Sequence, residues 1–600
     1  MTHRPLVRLG LLAAAAWLAG CAVAPSFTYT APLQPEGASG LTEKPGWATR
    51  QFAVAAANPL ATDAGYQVLK AGGSAVDAAI AVQMVLTLVE PQSSGIGGGA
   101  FLLHSDGKAV EAFDGRETAP AAADEQLFIG PDGKPLAFHA GVVGGRAVGV
   151  PGTVRMLELA HRQHGKLAWA SLFQPAIALA ENGFKVSPRL HTLVQNDKFL
   201  KLDPVAAAYF HDPSGRPWPV GHVLRNPTLA EVLRKIAAQG SRALHEGEVA
   251  GAIVDKVQGH AVNPGRMTLQ DLASYQPVKR PALCHDYRAR GQDLRLCGFP
   301  PPSSGGIAVG QILGILSHTD AASLPLQDGL PSAQWLHLYA EASRLAFADR
   351  ALYVADPDFI AAPAGNWMSL LDPAYLASRA RLIGPQSLKT APAGKPGSAQ
   401  TSFAPMPDQP EYGTSHISIV DSHGNALAMT TTIEDAFGAR QMVQGFLLNN
   451  ELTDFSFSPT DAQGQKIANR VQPGKRPRSS MAPTLVLDKA TGEVLMSGGS
   501  PGGALIIHYT AKTLYGVLQW GLTPQQAIDL PNFGSLGGPT LLEEKRFAPA
   551  TVEALRTRGA EVREMNMTSG LQAITRGQAH GQRLWLGGAD PRREGVVMGD

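Results

Sequence analysis

The segment 412–421 reads YGTSHISIVD, so a threonine follows a glycine and opens the alternation of a β-strand deep inside a 600-residue chain. If the Gly413–Thr414 bond were cut, Thr414 would carry both a hydroxyl and a free α-amine. An α-amine has a pKa of about 7.7 to 8, so near neutral pH much of it can accept the hydroxyl proton. Thr414 is therefore the candidate nucleophile, and Gly413–Thr414 is the candidate cleavage site. Taken alone, a threonine at a strand start is more often a β-former or a cap.

A second threonine is predicted to lie beside the first. The turn SHGN separates the first β-run from a second one. Pairing Asp421 with Ala426 predicts that Thr414 lies opposite Ile433, one residue from Thr432. Because side chains alternate along a strand, we expect the Thr432 hydroxyl near Thr414. The alternative is an exposed strand face that is simply rich in threonine.

Composition and motifs exclude several functional classes. The net charge is +1 and evenly distributed, which gives no electrostatic footprint for nucleic acid. The glycine-rich runs lack both the strand–GxGxxG–helix layout and a Walker lysine, and neither HExxH nor CxxC occurs, so we expect no cofactor and no metal. No long charged or low-complexity linker divides the chain. Residues 386–412, rich in Pro, Gly, Ser and Ala, form the one credible flexible stretch.

The N-terminus is typical of an exported protein. In residues 1–20, two arginines precede an apolar run that ends in small residues and is too short to span a bilayer. LAGC at 18–21 resembles a bacterial lipobox, which predicts a lipid on Cys21. Ala22 in place of an aspartate favours the outer membrane, and residues 21–45 would tether a periplasmic protein there. The alternative is a simple cleaved signal in which Cys21 is incidental.

Two further cysteines, Cys284 and Cys297, flank a short predicted hairpin at 286–295. In an exported protein, two thiols so placed are more often bridged than free. The alternative is a pair of buried reduced thiols, and both interpretations are structural.

Hydrophobic periodicity predicts helices first and paired strands later. The predicted helices are 61–70, 74–89, 154–164, 169–182, 229–239, 249–258 and 333–355, and the predicted strands are 100–105, 415–421, 426–433, 483–488 and 492–497. This order favours a layered α+β sandwich.

Eight motifs then occur in order from about residue 50 to the end of the chain. They are DGRETAP (114–120), PPPSSGG (300–306), TSH (414–416), GN (424–425), TTT (430–432), LNNELTDF (448–455), KRPRSSM (475–481) and GSPGG (499–503). Together they resemble γ-glutamyltranspeptidases, which are N-terminal-nucleophile hydrolases. The resemblance implies a four-layer αββα sandwich built jointly by a large subunit, 46–413, and a small subunit, 414–600. These would arise by self-cleavage and stay together as a heterodimer.

The resemblance also implies roles for individual residues. Thr414 would attack the γ-amide of a donor such as glutathione, and water or an amino acid or dipeptide would release the γ-glutamyl ester. Gly502 and Gly503 would donate backbone N–H groups to the oxyanion. Arg116, Ser479 and Ser480 would bind the α-carboxylate of the donor. Glu451, Asp454 and Glu434 would bind its α-ammonium group. Without the resemblance, Arg116 would be read as a surface ion pair with Asp114 or Glu117, and Glu451 and Asp454 as solvated loop charges.

The chain also departs from the family pattern. Better-known bacterial members carry an amide where this sequence has Glu434 and Glu451, so the ammonium pocket is expected to be more acidic. Residues 456–474 take the place of a loop that covers the pocket in some members. This segment is somewhat shorter here, so the sequence does not decide whether it forms a lid. Two alternative functions remain: a related glutaryl or cephalosporin acylase, and a catalytically inert envelope lipoprotein.

Overall fold

A computed structural model describes residues 29, 41–398, 401–579 and 581–600. The predicted signal at 1–20, the predicted lipidation site Cys21 and most of the predicted 21–45 tether lie outside the described residues. Within the described ranges, no helix is both long and apolar enough to cross a bilayer.

The described chain alternates helices and strands along its length. The strands are β1 (Trp47–Thr49), β2 (Ala53–Ala56), β3 (Gly99–Ser105), β4 (Val110–Asp114), β5 (Phe184–Lys185), β6 (Val223–Leu224), β7 (Val278–Pro281), β8 (Leu283–Ala289), β9 (Gln292–Gly298), β10 (Ser415–Val420), β11 (Ala426–Thr432), β12 (Met442–Val443), β13 (Phe446–Leu447), β14 (Thr484–Asp488), β15 (Val494–Gly499), β16 (Phe533–Gly534), β17 (Thr540–Glu543), β18 (Val562–Met565), β19 (Gln572–Ala579), β20 (Gln582–Ala589) and β21 (Val596–Gly599). The α-helices are α1 (Pro59–Lys70), α2 (Ala75–Val89), α3 (Phe138–Val142), α4 (Thr153–His164), α5 (Gln174–Asn182), α6 (Pro188–Asn196), α7 (Pro204–Phe210), α8 (Pro227–Gln239), α9 (Arg242–His245), α10 (Gly247–Gln258), α11 (Leu269–Ser274), α12 (Gly305–Leu316), α13 (Ala333–Tyr353), α14 (Pro373–Ala380), α15 (Ile506–Leu518), α16 (Pro524–Asp529) and α17 (Pro549–Thr557).

Two seven-stranded sheets form the centre of the fold. One has the strand order β21-β2-β10-β11-β3-β4-β7 and the other β1-β20-β19-β15-β14-β9-β8. Each sheet takes strands from both sides of residue 413. The helices α1 and α2 pack on the outer face of the first sheet, and α12, α15 and α16 pack on the outer face of the second. The predicted α+β, four-layer αββα sandwich is therefore confirmed.

The helix α2 supports the strands that carry the candidate nucleophile. Ser74 and Asp77 form a reciprocal capping box at its N-terminus, which satisfies two backbone N–H groups. All 15 residues of the helix are buried, as its all-round apolar sequence predicted. It packs directly on β10 and β11.

The hairpin of β10 and β11 has a different register from the predicted one. Val420 pairs with Ala426 and Ser415 with Thr431, so Thr414 extends the pairing opposite Thr432 and not opposite Ile433. The prediction that Asp421 pairs with Ala426 was wrong, because the Asp421 carboxylate accepts backbone N–H groups inside the turn. Those donors are His423 and Asn425, both at 2.9 Å. Asp421 therefore belongs to the turn. The observed register places Thr414 opposite Thr432, closer than the predicted register did.

A disulfide joins Cys284 and Cys297 across the β8–β9 hairpin, where the two residues are direct partners. The predicted bridge is confirmed in the structure, and the alternative of two reduced thiols is wrong. The bridge lies at the edge of the second sheet.

Loss of this disulfide should lower stability without changing the chemistry. The sequence separation is 13 residues, and closing a loop of that size is worth roughly 3 kcal/mol through the unfolded chain. We expect the double variant Cys284→Ser/Cys297→Ser to melt at a lower temperature than the unchanged protein, measured by circular dichroism under oxidising conditions. Equal melting temperatures for the two proteins would contradict this stabilising role.

Candidate active site

Thr414 and Thr432 face each other at the end of the β10–β11 hairpin. The Thr414 hydroxyl donates to the Thr432 hydroxyl at 3.3 Å, and both side chains are buried. The Thr432 hydroxyl also accepts the backbone N–H of Glu434 at 2.8 Å. The predicted proximity is thus present, and the alternative of an exposed threonine face is wrong.

The backbone at the candidate cleavage site is strained. Thr414 has φ of 103° and Gly413 has φ of 72°. Glycine adopts this region freely, whereas a β-branched residue there is an outlier. Such residues cost of order 1–3 kcal/mol and persist only where the surroundings hold them.

The surroundings that hold Thr414 include backbone groups that the sequence did not identify. The Ser93 carbonyl accepts the N–H groups of Thr414 and Ile433, each at 3.2 Å. Arg593 lies on the other side and donates from Nη1 to the Thr414 carbonyl at 3.5 Å. Ser93 begins the glycine-rich run SSGIGGG, in which a Cβ on Gly98 would lie 2.0 Å from the Thr432 carbonyl oxygen. The glycines of this run allow its backbone to pack closely behind Thr414 and Thr432.

Gly502 and Gly503 approach the backbone of residues 411–413, directly before Thr414. The Gly502 N–H donates to the carbonyl oxygen of Gly413 at 3.4 Å. Both glycines have positive φ, 133° and 58°, and a Cβ on Gly503 would lie 1.8 Å from the Glu411 carbonyl oxygen. A side chain at Gly503 would push Glu411 away, and one at Gly502 would collide with Tyr509, so glycine is required at both positions.

Arg116 is completely buried at the base of the site. It forms ion pairs with Glu451 and Asp454, and Nε and Nη2 also donate to the carbonyls of Pro477 and Arg478 at 3.1 and 3.0 Å. The surface ion pair expected without the resemblance is wrong. Solvated loop charges were also the wrong description of Glu451 and Asp454, because both are buried in a 3-10 turn, Glu451–Asp454.

Burial shifts the protonation of these acids. It raises the pKa of Glu451 and raises that of Asp454 to about 8, and Arg116 opposes both shifts. Burial also raises the pKa of Glu434 well above its usual range, and the nearby Asp454 carboxylate raises it further. For Arg116, burial lowers the pKa, but the charges of Glu451 and Asp454 outweigh that effect and leave it raised. The site therefore holds the Arg116 cation among three acids whose pKa values are all raised by burial.

Glu411, three residues before Thr414, occupies the same site in the uncleaved chain. Its carboxylate accepts a hydrogen bond from Ser480 and is 2.7 Å from Arg350 Nη2. Burial raises its pKa, but Arg350 and Arg478 outweigh that effect and leave the pKa lowered, so the carboxylate is charged. Neither Glu411 nor Arg350 was identified from the sequence, although an acid three residues before Thr414 was a usable signal.

The site residues line a narrow cavity of about 10 Å³, with room for roughly one water molecule. It is lined by Arg116, Glu411, Tyr412, Thr414, Thr432, Glu434, Glu451, Asp454, Ser479, Ser480, Met481, Gly503 and Ile506. This volume is below the roughly 300–1,000 Å³ of typical ligand pockets, which agrees with a site still filled by Glu411 and Tyr412. Every predicted site residue except Gly413 and Gly502 lines the cavity, and those two meet at its edge.

A family model for γ-glutamyltranspeptidase matches residues 61–600. The chain belongs to the γ-glutamyltranspeptidase family. A glutathione hydrolase proenzyme of Bacillus subtilis (strain 168) is 38% identical over 491 residues, covering 80% of this chain and 79% of that protein. An acylase ACY 1 proenzyme of Pseudomonas sp. (strain SE83) is 35% identical over 530 residues, covering 86% and 88%. Among solved structures, a cephalosporin acylase from Bacillus halodurans has a TM-score of 0.78 at 26% identity, covering 95% of this chain and 99% of that one.

In this member of the γ-glutamyltranspeptidase family, residues 456–474 support the pocket from the side. Asn469 donates from Nδ2 to the Asp454 carbonyl at 2.7 Å and accepts the Arg478 N–H at 2.9 Å. Phe457 stacks on Phe128, with ring centroids 4.3 Å apart. Among the described residues that line the cavity, none comes from 456–474. In the uncleaved chain this segment therefore buttresses the pocket wall.

Proposed function

We propose that the protein cuts itself between Gly413 and Thr414 and then acts as a γ-glutamyltransferase and glutathione hydrolase. The observation that carries this proposal is the convergence on one peptide bond. The Gly502 N–H donates to the Gly413 carbonyl, and the hydroxyl of the next residue, Thr414, is hydrogen-bonded to the Thr432 hydroxyl. A nucleophile and an oxyanion donor on one carbonyl are the minimum set for acyl transfer.

Self-cleavage would proceed through an ester. The Thr414 oxygen attacks the Gly413 carbonyl carbon and the Thr432 hydroxyl is placed to relay its proton, while the Gly502 N–H stabilises the oxyanion. Collapse breaks the C–N bond, which leaves an ester and a free α-amine on Thr414. Water then hydrolyses the ester. Breaking the bond also releases the positive-φ strain at Thr414.

Donor turnover would reuse the same groups. The new α-amine lies where the Thr414 nitrogen now meets the Ser93 carbonyl, and it accepts the hydroxyl proton during attack on a γ-glutamyl amide. Arg116, with Ser479 and Ser480, would bind the donor α-carboxylate. Its α-ammonium would meet Glu451, Asp454 and Glu434. Departure of Glu411 from Ser480 and Arg350 would open the pocket for that donor.

An acylase activity is the second candidate, because acylase proenzymes are about as similar to this chain as glutathione hydrolases are. A glutaryl donor lacks the α-ammonium, so buried Glu451 and Asp454 would face an apolar group, an unfavourable arrangement. Comparing γ-glutamyl-p-nitroanilide with glutaryl-p-nitroanilide distinguishes the two functions. An inert envelope protein would hydrolyse neither and would run as one uncleaved band.

Mass spectrometry of the purified protein tests the proposal directly. We expect a large subunit that ends at Gly413 and a small subunit that begins at Thr414. A new terminus at any other residue would refute the cleavage site. The same spectrum tests the proposed location at the periplasmic face of the outer membrane, because a lipid on Cys21 adds acyl mass to the large subunit.

The selectivity for γ-glutamyl donors should depend on pH. Asp454, with a pKa raised to about 8, is neutral below that pH and gains its charge as the pH rises. The ratio of kcat/KM for γ-glutamyl-p-nitroanilide to that for glutaryl-p-nitroanilide should therefore fall as the pH is lowered, with a midpoint at or below about pH 8 because the Glu411 charge leaves on cleavage. The Thr414 α-amine titrates in the same range, but it affects both substrates equally. A ratio that stays constant between pH 6 and 8 would contradict a role for Asp454 in ammonium binding.

A further inference from the structure

Two histidines and a glutamate converge at the end of the first sheet that is remote from Thr414. His104 on β3 and Glu111 on β4 are direct partners across the antiparallel pair, and His164 is the last residue of α4, which packs on both strands. One ligand atom from each of the three side chains lies within 4.8 Å of the other two. No sequence motif marks this cluster, because Glu111 and His164 lie 53 positions apart in the chain.

The cluster leaves a buried imidazole without hydrogen bonds. His104 is 1% exposed, and neither of its ring nitrogens has a partner. A neutral imidazole offers one donor and one acceptor, and buried polar groups are nearly always paired, so this side chain requires an explanation. Its ring stacks on His164 with centroids 4.0 Å apart. An ion bound between the two rings would give His104 its missing partner.

The carboxylate is already oriented for a single bond to an ion. Glu111 Oε2 is 2.5 Å from His164 Nε2, while Glu111 Oε1 forms an ion pair with Lys279. Lys279 Nζ also donates to Gln163 at 2.8 Å. Ligating carboxylates are commonly held by such an outer partner, which fixes their direction. A metal ion that replaces the proton between Oε2 and His164 Nε2 would bind both atoms while Lys279 stays on Oε1.

We propose that His104, Glu111 and His164 bind one divalent transition-metal ion of the zinc type. Two imidazoles and a carboxylate, with water as the fourth ligand, are a common zinc set with bonds of about 2.0–2.2 Å. Tetrahedral bonds of that length separate ligand atoms by roughly 3.4 Å, so small side-chain rotations that unstack the two rings complete the site. The side chains of His164 and Glu111 are 21% and 24% exposed, which gives the ion and its water a route from solvent.

The role of this ion is structural. His104 pairs with Leu427 and Gly99 pairs with Thr432 on the same two strands, which puts the metal site five residues, or roughly 16 Å, from Thr432. The ion ties the end of α4 to the β3–β4 hairpin. The other end of α4 carries Met156, which packs so closely on Gly115 that a Cβ there would lie 2.6 Å from the Met156 Cβ. Binding therefore stabilises the helix that supports the loop of Arg116.

Titration of the full-length, EDTA-treated protein with ZnCl2 tests the proposal. Calorimetry should give one tight zinc ion per chain, CoCl2 should give visible absorption bands of a tetrahedral site, and zinc should raise the melting temperature by several degrees. His164→Gln and His104→Leu should weaken zinc binding by at least about 10- to 100-fold. Both variants should keep their activity, and His104→Leu should fold without zinc at least as stably as the unchanged protein, because it removes an unpaired buried ring.

Two control variants distinguish a metal site from a hydrogen-bond network. His318→Gln removes an exposed histidine elsewhere and should leave the tight site unchanged. Lys279→Gln removes both a positive charge that repels the ion and the outer partner that orients Glu111, but it keeps all three ligands, so zinc binding should persist. Equal zinc binding by His164→Gln and His318→Gln, or loss of zinc binding in Lys279→Gln alone, would overturn the proposal.

Discussion

Thr414→Ala should remain a single uncleaved chain and should show no measurable hydrolysis of γ-glutamyl-p-nitroanilide. The variant lacks the hydroxyl that attacks the Gly413 carbonyl, so neither the ester for self-cleavage nor the γ-glutamyl ester can form. Loss of a nucleophile typically lowers kcat by 10⁴-fold to about 10⁶-fold. A denaturing gel and the p-nitroaniline absorbance measure the two effects on one preparation.

Thr414→Ser is the matched control. It keeps the hydroxyl and, after cleavage, the α-amine, so it should be cleaved and active, although more slowly. It also loses the β-branch at a residue with φ of 103°, which lowers the strain available to drive cleavage. Cleaved and active Thr414→Ala protein would refute Thr414 as the nucleophile. An uncleaved Thr414→Ser protein with full activity would refute the link between cleavage and catalysis.

Much of the fold was accessible from local sequence patterns. The apolar run of α2 predicted a buried helix, and the alternation of β10 predicted a strand that begins beside Thr414. The helix predicted at 169–182 begins instead as a 3-10 turn, Trp169–Phe173, because Pro175 follows and removes a backbone donor at the start of α5. Periodicity cannot separate these two helix types over a single turn.

The hairpin shows where local patterns fail. The sequence predicts a turn at 422–425, but the register depends on which residue closes it. The Asp421 carboxylate accepts two backbone N–H groups of the turn and one Asn425 side-chain N–H, so it acts as a turn residue and not as a strand residue. One shifted pair changes the partner of Thr414 from Ile433 to Thr432.

The site itself depends on contacts that are distant in sequence. Arg116 meets Glu451 across 335 residues, and only the fold shows that both are buried. Ser93 contributes its backbone carbonyl, and the type of side chain at this position does not predict that contact. The sequence motifs predicted which residues form the site. The charges in the sequence could not predict that Arg116 forms ion pairs with Glu451 and Asp454 in the absence of a donor.

Asp454→Asn is the sharpest test of donor specificity. The substitution keeps the size of the side chain but removes the negative charge proposed to meet the donor α-ammonium. Losing one partner of a buried charge pair costs about 2–5 kcal/mol, so above pH 8, where Asp454 is charged, kcat/KM for γ-glutamyl-p-nitroanilide should fall by about 30-fold or more. Arg116 keeps its ion pair with Glu451 in the variant, so the protein should fold and cleave itself normally.

Glutaryl-p-nitroanilide provides the internal comparison, because it is the same donor without the ammonium group. Its kcat/KM should be unchanged or higher in Asp454→Asn, since a buried carboxylate no longer has to be accommodated beside an apolar group. The pH dependence of the selectivity ratio should also weaken, because the group with a pKa of about 8 is gone. Asp461→Asn, which alters an exposed turn in the 456–474 segment, should leave both rates unchanged. If Asp454→Asn lowers both rates equally, the aspartate acts on the structure of the pocket, and recognition of the ammonium must lie with Glu451 or Glu434.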